Sequence, residues 1–244
     1  FVNLITVEFQ NGALPGSGYS GTEDAYLAQA NPNANYGSSD ILLLDGDDGG
    51  GNDLSSLLRF DISAIPSDAI IESAAIEIEV FNPSSSSYSV YELSRPWVEN
   101  QVTWNQYSSG NPWQSGGALG AADRDFTVLA SLSPATGNHT INLNNDGVAM
   151  VQAWVDGSST NHGVILGNPA SGDGVDFYSS EASVIASRPK LTLVYSLPVD
   201  AGDTEPPSIP SDLHTTAVGT DSVSLAWTAS TDNEAVTGYK VYRN

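Results

Sequence analysis

Apolar and polar residues alternate over much of this chain. From Ala74 to Phe81, Ile76, Ile78 and Val80 fall on one side and Glu77 and Glu79 on the other, the period-two pattern of a strand with one buried face. Tyr88–Leu93, Gly163–Leu166, Val175–Tyr178 and Lys190–Tyr195 read similarly, and turn-forming clusters such as 82–87 and 108–112 separate the runs. Many short strands with turn signals between them predict an all-β antiparallel sandwich. One stretch departs from this. Val148, Val151 and Val155 recur at helical spacing behind Asn144 and Asp146, which predicts one short capped helix with Trp154 on its apolar stripe, closing an open end of the sandwich.

The sandwich is expected to occupy residues 1–198, followed by an acidic, proline-containing linker at 199–208 and a separate segment at 209–244. That last segment resembles the start of a fibronectin type III domain. It has a proline-rich entry at Ile209-Pro210, a strand ending on a core Trp227, and a further strand over Thr237–Arg243. Complete domains of that kind have about 90–100 residues. Three strands do not close a sandwich, so this tail is expected to be frayed or to lean on another surface.

The stretch Ile41–Phe60 is chemically the densest. Two apolar runs are joined by nine residues, Asp45–Asp53, built only of Asp, Asn and Gly. Carboxylates crowded into one loop repel unless a cation neutralises them. Calcium takes about six to eight oxygen ligands, and glycine lets the backbone bend them inward. Asp45, Asp47, Asp48, Asn52 and Asp53 are therefore candidate ligands of a structural Ca2+, with Glu23 and Asp24 part of that site or of another. The alternative is a solvated acidic hairpin loop, since the spacing is not that of an EF-hand.

Charge narrows the partners. The 244 residues include 29 acidic and 7 basic ones, a formal net charge of -22. Nucleic acid and anionic membrane surfaces, both recognised by Lys and Arg, are thereby excluded as expected partners. No apolar run approaches the ~18–20 residues of a membrane span. The absence of cysteine removes disulfide and thiol chemistry. Such acidity suits a secreted or cell-surface protein in salty or calcium-containing water, and a start at Phe1 rather than Met fits a processed or trimmed chain.

Several motifs, taken in order, resemble those of DNRLRE domains: Asp24–Leu27, Asn31–Gly37, Leu57–Ser63, Arg95–Asn105, Phe177–Ala182 and Arg188–Leu191. The resemblance implies a jelly-roll-like β-sandwich of secreted bacterial proteins, often found beside fibronectin type III domains, polysaccharide lyases or other hydrolases. Some similar domains are carbohydrate-binding modules, with alginate among their ligands. No catalytic residues come with the family, and its name motif is only partly echoed by Ser56–Phe60.

Sugars stack their C–H faces on aromatic rings. Trp97 and Trp104, around an acidic bend, form either a paired platform or a packed corner. Trp113 sits in a loop poor in apolar partners, with Tyr107 nearby, and is either a ligand platform or a loop anchor. Tyr36, among Asn33, Asn35 and Gly37, and Tyr178, beside Ser179 and Ser180, are further candidates. Arg124 is the group to meet a sugar carboxylate or sulfate, although Asp123 and Asp125 offer it a local salt bridge. Residues 1–198 hold only five basic side chains: Arg59, Arg95, Arg124, Arg188 and Lys190. A strongly anionic polymer would meet net repulsion unless calcium bridged it, so a neutral or weakly charged polysaccharide is the expected ligand.

Catalysis is not expected. The three histidines lack a nucleophile motif. Glu77 and Glu79 lie about 6.5–7 Å apart on one strand face, between the separations used by retaining and inverting glycosidases, and an exposed strand face explains them equally well. Two function classes remain. One is a secreted carbohydrate-binding module tethering a larger protein to polysaccharide. The other is a structural module or filament subunit, in which the arm Phe1–Phe9 adds to a neighbour's sheet edge instead of forming the molecule's own first strand.

Overall fold

The computed structural model describes residues 3–46, 51–167, 172–198, 206–233 and 235–242. The chain divides into two compact units, Phe1–Pro198 and Val199–Asn244. In the first, the alternating runs become strands β1 (Leu4–Phe9), β2 (Thr22–Ala28), β3 (Ile41–Leu44), β4 (Leu54–Phe60), β5 (Ile70–Asn82) and β6 (Tyr88–Glu92). They continue with β7 (Gln106–Ser108), β8 (Asn111–Pro112), β9 (Ala130–Leu132), β10 (Gly137–Asn142), β11 (Val164–Gly167), β12 (Val175–Tyr178) and β13 (Lys190–Ser196). A six-stranded sheet has the order β1-β13-β5-β12-β3, with β10 also paired to β5, and a five-stranded sheet has the order β2-β4-β11-β6-β9. Their ladders are antiparallel, and β7 and β8 form a small ribbon apart.

Between the sheets lies a core that includes Leu42, Leu44, Leu58, Ile76, Ile78, Val80, Phe177 and Leu193. The helix α1 (Asn145–Val155) is capped by the Asn144 side chain, which accepts from the Gly147 amide at 3.0 Å, and it buries Met150 and Val151. Gln152 ties it to the sheet, accepting from the Ile71 amide and donating to the Ala69 carbonyl. Trp154 is half-buried against the core and donates to Glu92 Oε1 at 3.0 Å.

One connection differs from the sequence expectation, and the N-terminal arm takes the place of the molecule's own first strand, one of the two expected for it. The apolar runs either side of the acidic loop are not the arms of a hairpin, because β3 belongs to one sheet and β4 to the other. Leu42 and Leu44 share the central core with Leu58 and Phe60, which requires the chain to cross between layers; an Asp45–Leu54 bridge and a Ser56 hydroxyl bond to the Leu43 carbonyl hold the crossing. The N-terminal arm pairs with β13 of its own molecule, from Leu4 opposite Ser196 to Phe9 opposite Leu191. Ile5, Val7 and Phe9 thereby reach the core, and strand donation is left without the free arm it needs.

The second unit contains the hairpin β14 (Ser211–Val218) and β15 (Val223–Thr228), with Trp227 packed edge-on against Tyr239 at 5.2 Å. The strand expected near 237–243 is absent among the described residues. Two strands offer no second layer to bury an apolar face, and Leu213, Val223, Leu225 and Val241 stay exposed.

Candidate functional site

The outer face of the five-stranded sheet is apolar and covered. Ala25, Leu27, Leu57 and Ile165 form a second core with Trp97, Val102, Trp104 and Trp113, which descend from the 93–125 excursion. Trp97 is 1% exposed and donates to the His162 carbonyl at 2.8 Å; Trp113 is 5% exposed and donates to the Thr103 carbonyl at 3.0 Å. Trp104 lies beneath Gly116 and Gly117, where an added Cβ would come within 2.5 and 2.6 Å of its ring. The fully buried Asp123 carboxylate fixes the turn above, accepting from the amides of Gln114, Ser115 and Gly120.

These contacts correct the platform reading of the tryptophans. The loop around Trp113 is not short of apolar partners, since the sheet below and Tyr107, edge-on at 5.5 Å, supply them. Tyr107 is itself half-buried, with the Arg95 guanidinium over its ring. Arg124 does not take the salt bridge its neighbours suggest. Asp123 is held by amides and by Arg95 at 3.5 Å, and Asp125 accepts from the Thr127 amide. Arg124 instead lies 4.4 Å from the Tyr91 ring centroid, 5% exposed, a stacking arrangement guanidinium favours.

The outer face of the six-stranded sheet is different. Alternation turns Glu77, Glu79 and Phe81 of β5 outward, with Asp176 and Tyr178 of β12 beside them. Phe81 is 39% exposed and tilts against the half-buried Tyr178, ring centroids 4.9 Å apart. Asn82 Nδ2 donates to Asp176 Oδ2 at 3.3 Å, and burial raises the Asp176 pKa. Lys190 is already paired, at 2.7 Å with Glu8 and 3.1 Å with Glu77. A cleft of about 260 Å³ opens nearby, lined by Gln10, Glu77, Glu79, Asn138, Arg188 and Lys190. The Arg188 guanidinium is engaged by the carbonyls of Ala182 and Asn11. Sequence reasoning missed Phe81, although an aromatic residue at an outward position of an alternating run was the available signal.

A cluster of carboxylates closes one edge of the sandwich. Among the described residues, Asp24 of β2, Glu99 of the excursion and Glu181 after β12 bring ligand oxygens within 4.8 Å of one another. Asp24 is 1% exposed and accepts from the Ser180 amide at 2.7 Å; its own amide donates to Glu99 Oε1 at 2.9 Å. Glu181 Oε2 is buried without a hydrogen-bond partner. Burial, reinforced by the Glu181 charge, raises the Asp24 pKa well above its ordinary range. Burial likewise pushes Glu99 from 4.5 to about 7, with Glu181 and Glu23 adding to the rise. An oxygen shell at about 2.3–2.6 Å from Ca2+ spans roughly 5 Å, so the three carboxylates fit one such ion. Strand alternation separates Glu23 from Asp24, and Glu23 pairs with Arg59 instead.

The other candidates are placed as follows. Tyr36 is half-buried, with one face stacked on Tyr26 at 4.1 Å and 17°. Asn35 donates to the carbonyls of Glu99 and Val102, and Asn33 accepts from Asn105, so these amides brace the excursion. In the acidic loop, Asp47 and Asp48 lie outside the described residues. Asn52 is exposed, while Asp45 and Asp53 line a small void of about 10 Å³ together with the cationic Arg124.

Residues 16–116 match the family model for carbohydrate-binding module family 96. Similar stretches occur in longer bacterial proteins. An "Alpha-amylase" of Niallia circulans is 41% identical over 66 residues, 27% of this chain and 5% of that protein. "Chitinase Chi52" of Paenibacillus xylanexedens is 57% identical over 42 residues, 17% of this chain and 8% of that protein. "Chitinase A1" of Niallia circulans is 58% identical over 41 residues, 17% of this chain and 6% of that protein. The chain thus spans less than a tenth of each of these relatives.

Proposed function

We propose that the first unit is a secreted, non-catalytic carbohydrate-binding module that holds a larger protein on polysaccharide. The observation that carries this reading is the match of residues 16–116 to a carbohydrate-binding module family, on a β-sandwich with a Phe81–Tyr178 ring pair and an Asn82–Asp176 amide–carboxylate pair on the outer side of one sheet. Binding at a single open face is modest, and gains through several modules in one parent protein. The second unit we read as the opening strands of a fibronectin type III domain that spaces the module from its neighbours.

A structural Ca2+ belongs to the proposal, with Asp24, Glu99 and Glu181 as its carboxylate ligands. Three acidic groups drawn together favour that place, the Arg59 charge offsetting only part of the rise at Glu99. At Asp45 and Asp53, Arg124 already supplies positive charge to the shared void. Held by all three carboxylates, the ion would neutralise their repulsion and tie β2, the excursion and the segment after β12 together.

Affinity electrophoresis of the folded chain against a panel of neutral and acidic polysaccharides, in calcium and in EDTA, tests both parts. Retardation by at least one polymer supports the module. No retardation anywhere, from a protein shown to be folded, removes it. An equal melting temperature in calcium and in EDTA removes the structural ion.

A further inference from the structure

We infer that Tyr26 and Tyr36 form a modification site, at which a haem peroxidase supplied with hydrogen peroxide joins the two rings as a dityrosine cross-link. Tyr26 stands on β2 and Tyr36 in the loop that follows it. Their rings are 17° from parallel with centroids 4.1 Å apart, closer than the ~4.5–7 Å of ordinary aromatic pairs. Facing ring carbons therefore meet at about the 3.5–4.0 Å contact distance of carbon atoms. Neighbours hold the second ring in this place. The Tyr36 carbonyl accepts from the Ser39 amide, Asn35 donates to the carbonyls of Glu99 and Val102, and Gly37 lies so close to the Glu99 backbone that no Cβ would fit. Both rings are half-buried, so the pair is fixed in place and still reaches solvent.

The oxidant removes one electron and the phenolic proton from each tyrosine. The two radicals couple through a new carbon–carbon bond between a Cε of each ring, and the hydrogen on each of those carbons moves to its ring oxygen as aromaticity returns. The two electrons and two protons released convert one hydrogen peroxide into two waters. Stacked rings suit this step, because the unpaired electron occupies the π face that each presents to the other. Burial pushes the Tyr26 phenol up to about 12, with Tyr36 adding to the rise, so the proton leaves with the electron and not before it. Among the described residues no other two tyrosines share a ring contact: Tyr19, Tyr178, Tyr107 and Tyr239 pair with Phe9, Phe81, Trp113 and Trp227. Sulfur does not intercept the radicals, since the chain has no cysteine and its single methionine, Met150, is buried. The link staples β2 to the loop whose Asn33 and Asn35 brace the excursion, and it needs neither glycan nor metal ion.

The test incubates the full chain at low concentration with a haem peroxidase and hydrogen peroxide. The monomer is expected to lose two hydrogens in mass, to gain the blue emission of dityrosine, and to yield on digestion a cross-linked peptide joining Tyr26 to Tyr36. Its melting temperature should rise, since a cross-link narrows the unfolded ensemble. Tyr26→Phe and Tyr36→Phe, each with an unchanged circular dichroism spectrum, are expected to lose the mass change and the emission, whereas Tyr178→Phe keeps both. Should one phenylalanine variant not fold, the other and the mapped wild-type peptide still decide. An unmodified wild-type monomer overturns the proposal, as does a cross-link mapped to another pair or formed only between molecules. Product from Tyr36→Phe in the amount that wild type gives overturns it equally.

Discussion

The two sheets of the sandwich treat their outer faces in opposite ways. On the five-stranded sheet an excursion of more than 30 residues folds down and buries three tryptophans over Ala25, Leu27, Leu57 and Ile165. On the six-stranded sheet the outward positions carry Glu77, Glu79, Asp176 and the Phe81–Tyr178 pair, with no second layer above them among the described residues. The difference teaches that aromatic residue type does not mark a ligand surface. What lies under and over the ring decides, and here the largest rings serve the fold while a smaller pair faces solvent.

Substitutions on each face should separate these roles. Trp97→Ala empties a site 1% exposed and removes a hydrogen bond, so equilibrium unfolding should show a loss of about 3–5 kcal/mol; wild-type stability would mean the excursion is not a core. Next comes calcium, which at about a hundred times its dissociation constant should add ~2.7 kcal/mol, read as a rise in melting temperature that Asp24→Asn abolishes. The sign with pH also follows. Glu99 is raised in the folded state from 4.5 to about 7, so in EDTA its contribution is complete below about pH 4.5 and is lost as pH climbs to 7. Calcium should flatten that decline, and a melt series that falls equally in both conditions would contradict the site.

Smaller effects sharpen the contrast. Gly117 has φ +73° and faces the Trp104 ring, so Gly117→Ala should cost about 1–3 kcal/mol through overpacking and left-handed strain; a neutral result would show that the ring moves freely. Phe81→Ala, on the bare face, should shift stability by no more than about 0.5 kcal/mol. A loss as large as that of Trp97→Ala would show that Phe81 is buried by something on that face.

Strand phase was legible where alternation was strict: Ile76, Ile78 and Val80 are buried and Glu77 and Glu79 turn outward. The irregularity opposite Val194 and Tyr195 was not, because a register shift inserts no residue type of its own. Sheet membership of β3 and β4 escaped for a related reason, since a run of nine Asp, Asn and Gly residues suits a hairpin and a layer crossing alike. The covered face had left a trace. Leu57-Leu58 and Val164–Leu166 are continuous apolar runs, as strands buried on both sides are, and they called for something to pack above. The carboxylate cluster left none, because Asp24 and Glu99 are 75 residues apart and only the folded topology sets them side by side.

The pairing of the first strand with the last has a mechanical consequence. Leu4 sits opposite Ser196, so the chain enters and leaves this unit at the same end of one ladder. Tension carried by flanking segments opens that ladder like a zipper, one backbone bond at a time. Pulling instead through Leu4 and Leu191, at opposite ends, loads all its bonds together in shear. A single-molecule stretching comparison should therefore find the first geometry yielding at the lower force.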